Sequence, residues 1–162
     1  MFKMSNIKVI DNFLEKKEFK MIQDVLLNND FAWFCNKNMT FSNDNDLYFT
    51  HKFYNTPTSI SNKFYLFENM IKKFKFKSLI RVKANLYIRE NKKRKHADHS
   101  DYPFKHKGCL FYINNNNGET YFEKEKVMPV ANRAVFFDPS KKHSSSSCSD
   151  SPIRVTINFN YL

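Results

Sequence analysis

The sequence predicts a mainly β protein with flanking α structure: a β-sandwich or jelly roll with N-terminal helices packed on one sheet. Apolar residues recur at helical spacing in parts of the first 78 positions and alternate with a two-residue period from Leu79 onward. Short apolar segments then succeed one another to the C-terminus, separated by Asn, Asp, Ser and Gly. Eighteen phenylalanines, eight tyrosines and one tryptophan supply rings for one core, with only two glycines and five prolines. The 162 residues therefore read as one domain, 1–162, with a helix-and-strand part over 1–78 and a β core over about 79–162.

Taken in order, Ile7 to Ile10 has the pattern of a short strand. Asn12, followed three residues later by Glu15, resembles a capping box opening a helix, on which Phe19, Ile22 and Leu26 share one face. Ser42 to Asp46 has loop composition, and Leu47 to Phe53 reads as a strand. Phe64, Phe67 and Ile71 predict a second amphipathic helix within Ser61 to Phe74. Next comes the clearest strand, in which Ile80, Val82, Ala84, Leu86 and Ile88 alternate with Arg81, Lys83, Asn85, Tyr87 and Arg89. Cys109 to Ile113, Glu119 to Phe122, Arg133 to Phe137 and Ile153 to Tyr161 complete the strand set, and Asn117-Gly118 has the chemistry of a tight hairpin turn.

Composition also excludes classes. No run of about 18 uncharged apolar residues is present, and residues 1–6 have no signal-peptide character, so no membrane crossing is expected. Cys35, Cys109 and Cys148 are odd in number and far apart, which suits a reducing cytoplasm rather than a disulfide framework or a C-x-x-C zinc site. A formal net charge of +11 favours a polyanionic partner, although a lysine-rich solvated surface accounts for it equally.

The residues with chemistry to offer lie in the second half. His99-Ser100-Asp101 puts an imidazole and a carboxylate on one face of an extended chain. His143, after the apolar strand Ala134 to Phe137 and the Asp138-Pro139 turn, can complete a two-histidine, one-carboxylate set. That set suits non-heme Fe(II) with open positions for a bidentate ligand and dioxygen; the same donors also suit zinc. His96-Ala97-Asp98 is a second pair of the same form and the alternative to His99/Asp101, whereas His51 and His106 read as structural or exposed. On the last strand Arg154, Thr156 and Asn158 share a face, opposite Ile153, Val155, Ile157 and Phe159. A guanidinium flanked by a hydroxyl and an amide seats a carboxylate through paired charge-assisted hydrogen bonds.

This order, H-x-D, a distant histidine, then R-x-T eleven residues later, resembles the 2-oxoglutarate/Fe(II)-dependent dioxygenase superfamily. Asn132 to Asp138 with Lys142-His143, and Ile153 to Phe159, are especially similar to its compact, prolyl-hydroxylase-like members common in phage and marine microbial genomes. The resemblance runs from Val9-Ile10-Asp11-Asn12-Phe13-Leu14 to the last strand. It implies a double-stranded β-helix, with Fe(II) held by His99, Asp101 and His143. It also implies 2-oxoglutarate and O2 as cosubstrates, with Arg154, Thr156 and Asn158 at the 2-oxoglutarate site. Asp101-Tyr102-Pro103-Phe104 is similar to the segment at the end of this motif in those relatives, which favours His99/Asp101 over His96/Asp98. Asn85-x-Tyr87 is similar to a cosubstrate-touching pair of the nucleic-acid demethylase branch, and Tyr87 alone also resembles prolyl hydroxylases. The implied reaction is oxidative decarboxylation of 2-oxoglutarate coupled to hydroxylation, in the cytoplasm, a host's cytoplasm for a phage-encoded member.

Two substrate classes stay open: a protein or peptide side chain such as proline, or a nucleic acid. For the second, residues 72–95 carry eleven Lys/Arg against Glu90 alone, and Lys92-Lys93-Arg94-Lys95 directly precedes the metal motif. A noncatalytic cupin-like metal-binding module is the third reading. The N-terminal half and the loops Asn36 to Asp46 and Glu90 to His106 are the expected seats of specificity.

Overall fold

The computed structural model describes residues 7–41, 44 and 46–162; the reading of residues 1–6, and Ser42, Asn43 and Asn45 of the predicted loop, lie outside them. Eleven strands, two α-helices and one 3-10 turn are present among the described residues. The larger sheet is antiparallel and runs β1 (Lys8–Ile10), β9 (Ala134–Phe137), β6 (Lys107–Tyr112), β11 (Ile153–Tyr161), β5 (Leu79–Ile88), β3 (Tyr48–Asn55) and β2 (Phe34–Asn36). β4 (Thr58–Ser59) pairs with β3 at its end. A smaller sheet has the order β10 (His143–Ser145), β7 (Thr120–Phe122), β8 (Lys126–Val127). This is the jelly-roll architecture that the alternating strands predict.

The period-two pattern holds along the middle of the two longest central strands, whereas Ile88 is exposed and a register shift at Asn160/Tyr161 puts Leu79 in the core in place of Ile80. Val82, Ala84 and Leu86 of β5, with Val155, Ile157 and Phe159 of β11, are buried in the main apolar core. That core lies between the larger sheet and the N-terminal helices. Helix α1 (Lys16–Leu26) contributes Ile22 and Leu26, fully buried, while its Phe19 ring meets Phe111 of β6 edge-on. Phe67 and Phe74 close on Phe159 from the other side of the same face. The opposite face of the sheet carries Arg154, Thr156 and Asn158 into the space beneath the smaller sheet. There a second, smaller apolar cluster around Leu110, Tyr112, Val135 and Phe137 seals one side only.

Three local expectations need correction. The α1 N-terminus has no capping box: Asn12 takes a left-handed φ of 49°, and the helix begins after Glu15 with no side-chain cap. The second helix is shorter than its apolar pattern, a 3-10 turn at Phe64–Phe67 followed by α2 (Glu68–Lys72). The tighter turn lets the adjacent Leu66 and Phe67 both be buried. Asn117-Gly118 is not a hairpin turn, because β6 and β7 belong to different sheets. The Asn117 N–H donates to the Asp150 carboxylate, and a Cβ at Gly118 would lie 2.8 Å from Arg154 Cδ, so this glycine makes room for the arginine.

The three cysteines are free, with Cys109 and Cys148 buried. Among the described residues no helix is long and apolar enough to cross a membrane.

Candidate metal centre and carboxylate seat

The two histidines meet through the backbone. His99 and His143 form an isolated antiparallel bridge, exchanging both N–H···O=C hydrogen bonds at 2.9 Å. Such a pair sets its side chains directly opposite each other, and the two rings lie 4.6 Å apart. The His143 Nδ1–H donates to the Lys141 carbonyl at 2.9 Å, and His99 Nδ1 faces the Ala97 carbonyl at 3.4 Å. Both Nε2 atoms are thereby left as lone-pair donors. Burial, then the neighbouring His143, lowers the His99 pKa, which keeps the ring neutral as a ligand must be.

Asp101 enters from the same segment, its N–H bonded to the Pro139 carbonyl. One carboxylate oxygen lies 3.1 Å from Arg81 Nη2; the other accepts from the Asn158 and Asn160 amides, each at 2.8 Å. Burial pushes this carboxyl up, but Arg81 foremost, then His143 and the two amides, more than offset it and hold it well below the usual carboxylate range. It is an anion at any ordinary pH. His99, Asp101 and His143 together offer three ligand atoms within 4.8 Å of one another, and no other such group occurs among the described residues.

The alternative pair is employed elsewhere. His96 is buried, its Nδ1 2.8 Å from Ser145 Oγ and its ring stacked on Tyr87, and burial followed by Arg94 and Arg154 pulls its pKa down to about 4. Asp98 is half exposed and pairs with Lys95. His51 is held by the Ala32 carbonyl and Ser61, and His106 by the Phe104 carbonyl and the Asn160 amide, so both are structural.

Along the floor of the cleft, β11 and β5 align Arg154 with Tyr87, Thr156 with Asn85, and Asn158 with Lys83. Arg154 is fully buried. Its Nη1 donates to the Glu119 and Ser146 carbonyls and its Nη2 to Thr120 Oγ1, while its guanidinium lies 5.6 Å from the Tyr87 ring. It has no carboxylate partner among the described residues, and its buried Nε has no hydrogen-bond partner at all. The Asn85 and Asn158 side-chain oxygens are likewise buried without partners. Orphaned donors and acceptors on a cleft floor are the mark of a ligand seat. Burial raises the Tyr87 pKa against the pull of Arg154, which keeps the phenol neutral. The cleft also exposes Lys83, Tyr48 and, from the loop before β3, Met39.

Sequence reasoning missed several contributors. Arg81 and Asn160, which orient Asp101, lie on the polar faces of β5 and β11 two residues beyond Lys83 and Asn158; the alternation could have found them. Lys83, which lines the cleft, was one of eleven basic residues between positions 72 and 95 and did not stand out among them. The Lys92–Lys95 run is largely tied up: Lys93 pairs with Glu119, Arg94 with Glu90 and Asp46, and Lys95 with Asp98.

No known family's sequence pattern and no curated protein matches this chain. Its shape does match solved structures. An oxidoreductase of the 2OG-Fe(II) oxygenase family from Burkholderia pseudomallei superposes with a TM-score of 0.65 at 9% identity, over 96% of this chain and 84% of that one. A Pseudomonas putida prolyl-4-hydroxylase gives 0.65 at 8%, over 98% and 93%. A Trichoplax adhaerens prolyl hydroxylase in complex with a hypoxia inducible factor peptide fragment gives 0.63 at 13%, over 98% and 84%. The chain thus shares the jelly-roll fold of these solved oxygenases.

Proposed function

We propose that this protein is a non-heme Fe(II)- and 2-oxoglutarate-dependent dioxygenase that hydroxylates a peptide side chain, with proline the first residue to test. The observation that carries the reading is the pairing of a His99/Asp101/His143 cluster with a fully buried Arg154 that has no counter-ion, on the floor of one cleft. A metal-binding module has no use for the second feature. An uncompensated buried guanidinium is costly unless an anion arrives to meet it.

The donor set fits the metal: two neutral imidazoles and one carboxylate suit Fe(II) and leave positions open. When bound, iron and 2-oxoglutarate supply the oxidising chemistry by consuming dioxygen and releasing succinate and carbon dioxide. The chain's own residues bind and orient. Arg154 receives the distal carboxylate, helped by the neutral Tyr87 and Thr156 hydroxyls. Asn85 and Asn158 present their free side-chain oxygens to donors in the cleft. Arg81, Asn158 and Asn160 hold Asp101 in the ionised, aligned state a ligand requires. Phe137, beside His143, with Leu110, forms the apolar wall that limits water on the smaller-sheet side.

The peptide reading draws on the fold shared with two prolyl hydroxylases. It also draws on the internal pairing of the basic run, which leaves little free cationic track for a nucleic-acid backbone. The test is anaerobic titration of metal-free protein with Fe(II) and then 2-oxoglutarate, watching the weak visible charge-transfer band of the chelate. Aerobic turnover of a proline peptide panel comes next, scored by a 16 Da gain and succinate release. A band with peptide oxidation supports the reading; folded, iron-loaded protein that gives no band rules it out.

A further inference from the structure

Lys83 is the one cation of the cleft that the chemistry above leaves without an anion. Arg81 is met by Asp101, and Arg154 would be met by the distal carboxylate of 2-oxoglutarate. Lys83 makes no ion pair or hydrogen bond among the described residues; its ammonium lies 5.7 Å from the Tyr48 ring. Its place along the strands is informative. Arg154 and Tyr87 form the innermost pair, Thr156 and Asn85 the next, and Asn158 and Lys83 the third. Asn158 hydrogen-bonds Asp101, so Lys83 stands level with the proposed metal ligands, four residues along the strand from the carboxylate seat. At roughly 3.4 Å rise per residue, those four residues separate Lys83 from Arg154 by about 14 Å along the strand. A cosubstrate anchored at Arg154 has its distal carboxylate far from this ammonium. On the neighbouring strand Lys52 is directly opposite Lys83, adding positive potential on the outer side.

We propose that Lys83 is a specificity-determining residue that receives a carboxylate of the primary substrate lying close to the position oxidised. This rests on the dioxygenase reading and goes one step further, to the charge of the substrate. A lone, half-buried ammonium matches a monoanion, and the aromatic face of Tyr48 stabilises it without neutralising it. A nucleic acid would need a track of such cations, and the nearest basic run is paired internally. The carboxylate has two sources: an acidic side chain beside the target in a peptide, or the free carboxylate of a single amino acid.

The experiment uses the full chain loaded anaerobically with Fe(II) and 2-oxoglutarate, with the charge-transfer band recorded first. Absence of that band in the wild type defeats the dioxygenase reading itself. With the band present, binding of two six-residue proline peptides is measured, identical except for glutamate or glutamine next to the proline, alongside free L-proline. The glutamate peptide, or free L-proline if the source is a single amino acid, should bind at least about tenfold more tightly than the glutamine peptide. In Lys83→Gln that preference should vanish; Lys83→Arg should restore it, while 2-oxoglutarate titrates the band at the wild-type concentration in both variants. Equal or absent binding of both carboxylate probes, or a preference that survives Lys83→Gln, overturns the proposal. So does a Lys83→Gln variant whose main defect is tenfold weaker 2-oxoglutarate binding, which would assign the lysine to the cosubstrate. Tight, salt-sensitive binding of a single-stranded oligonucleotide in place of either probe would also overturn it.

Discussion

Replacing Arg154 by methionine separates a ligand-binding cation from a structural one. The side chain is fully buried and makes three hydrogen bonds to protein acceptors, so a purely structural role predicts a large loss of stability. Counting about 1.5 kcal/mol net for each lost bond from a charged donor gives a cost of about 4 to 5 kcal/mol. Against this, the free protein is relieved of a buried charge with no anionic partner and an unpaired Nε, an offset of comparable size. The Glu119 carbonyl also keeps the Ser146 N–H as a second donor. Unfolding free energy without 2-oxoglutarate should therefore fall by no more than about 2 kcal/mol. The cosubstrate loses the partner of a buried carboxylate, worth about 3 to 5 kcal/mol, or roughly a 10²- to 10³-fold or larger rise in its dissociation constant. Urea unfolding of the free protein and anaerobic titration of the Fe(II)–2-oxoglutarate band measure the two quantities. A variant that loses more than about 4 kcal/mol of stability, yet binds 2-oxoglutarate within a few-fold of wild type, would refute the assignment.

Other perturbations have equally definite outcomes. His143→Ala removes one of three donors and should weaken Fe(II) retention by more than about 100-fold, read as metal per chain after dialysis; near-stoichiometric iron would exclude His143 as a ligand. Gly118→Ala places a Cβ 2.8 Å from Arg154 Cδ and 2.9 Å from Asn116 Oδ1. It should cost about 1–3 kcal/mol and weaken 2-oxoglutarate binding with it, so an unchanged melting temperature would show that the arginine has slack. His96, buried neutral with its pKa lowered to about 4, binds its proton more readily when unfolded. Its contribution is intact above the ordinary histidine pKa and is lost as pH falls, about 2 kcal/mol between pH 7.5 and 5. His96→Gln should flatten that part of the stability–pH curve, and superimposable curve shapes would show that His96 does not titrate in this way.

What the residues state locally was legible. The two-residue period assigns the side chains of residues 81–88 and 153–160 to a face, because a pleated backbone leaves no other choice until the register shifts at Asn160/Tyr161, where Leu79 and not Ile80 joins the core. H-x-D needs only extended chain to bring its two groups together. The Lys92–Lys95 run was read for its charge but not for its partners, since Glu119 and Asp46 come from distant positions.

The sequence by itself determined the periods, the faces and the types of donor, all consequences of backbone geometry within a few residues. Only the tertiary structure decided that β6 and β7 part into different sheets, and that His143 lies opposite His99 through a reciprocal backbone pair. It alone brought Arg81, Asn158 and Asn160 around Asp101 and left Lys83 level with them. Those outcomes depend on register and crossover between strands far apart in the chain, which are set by the packing of the whole core and have no local signature.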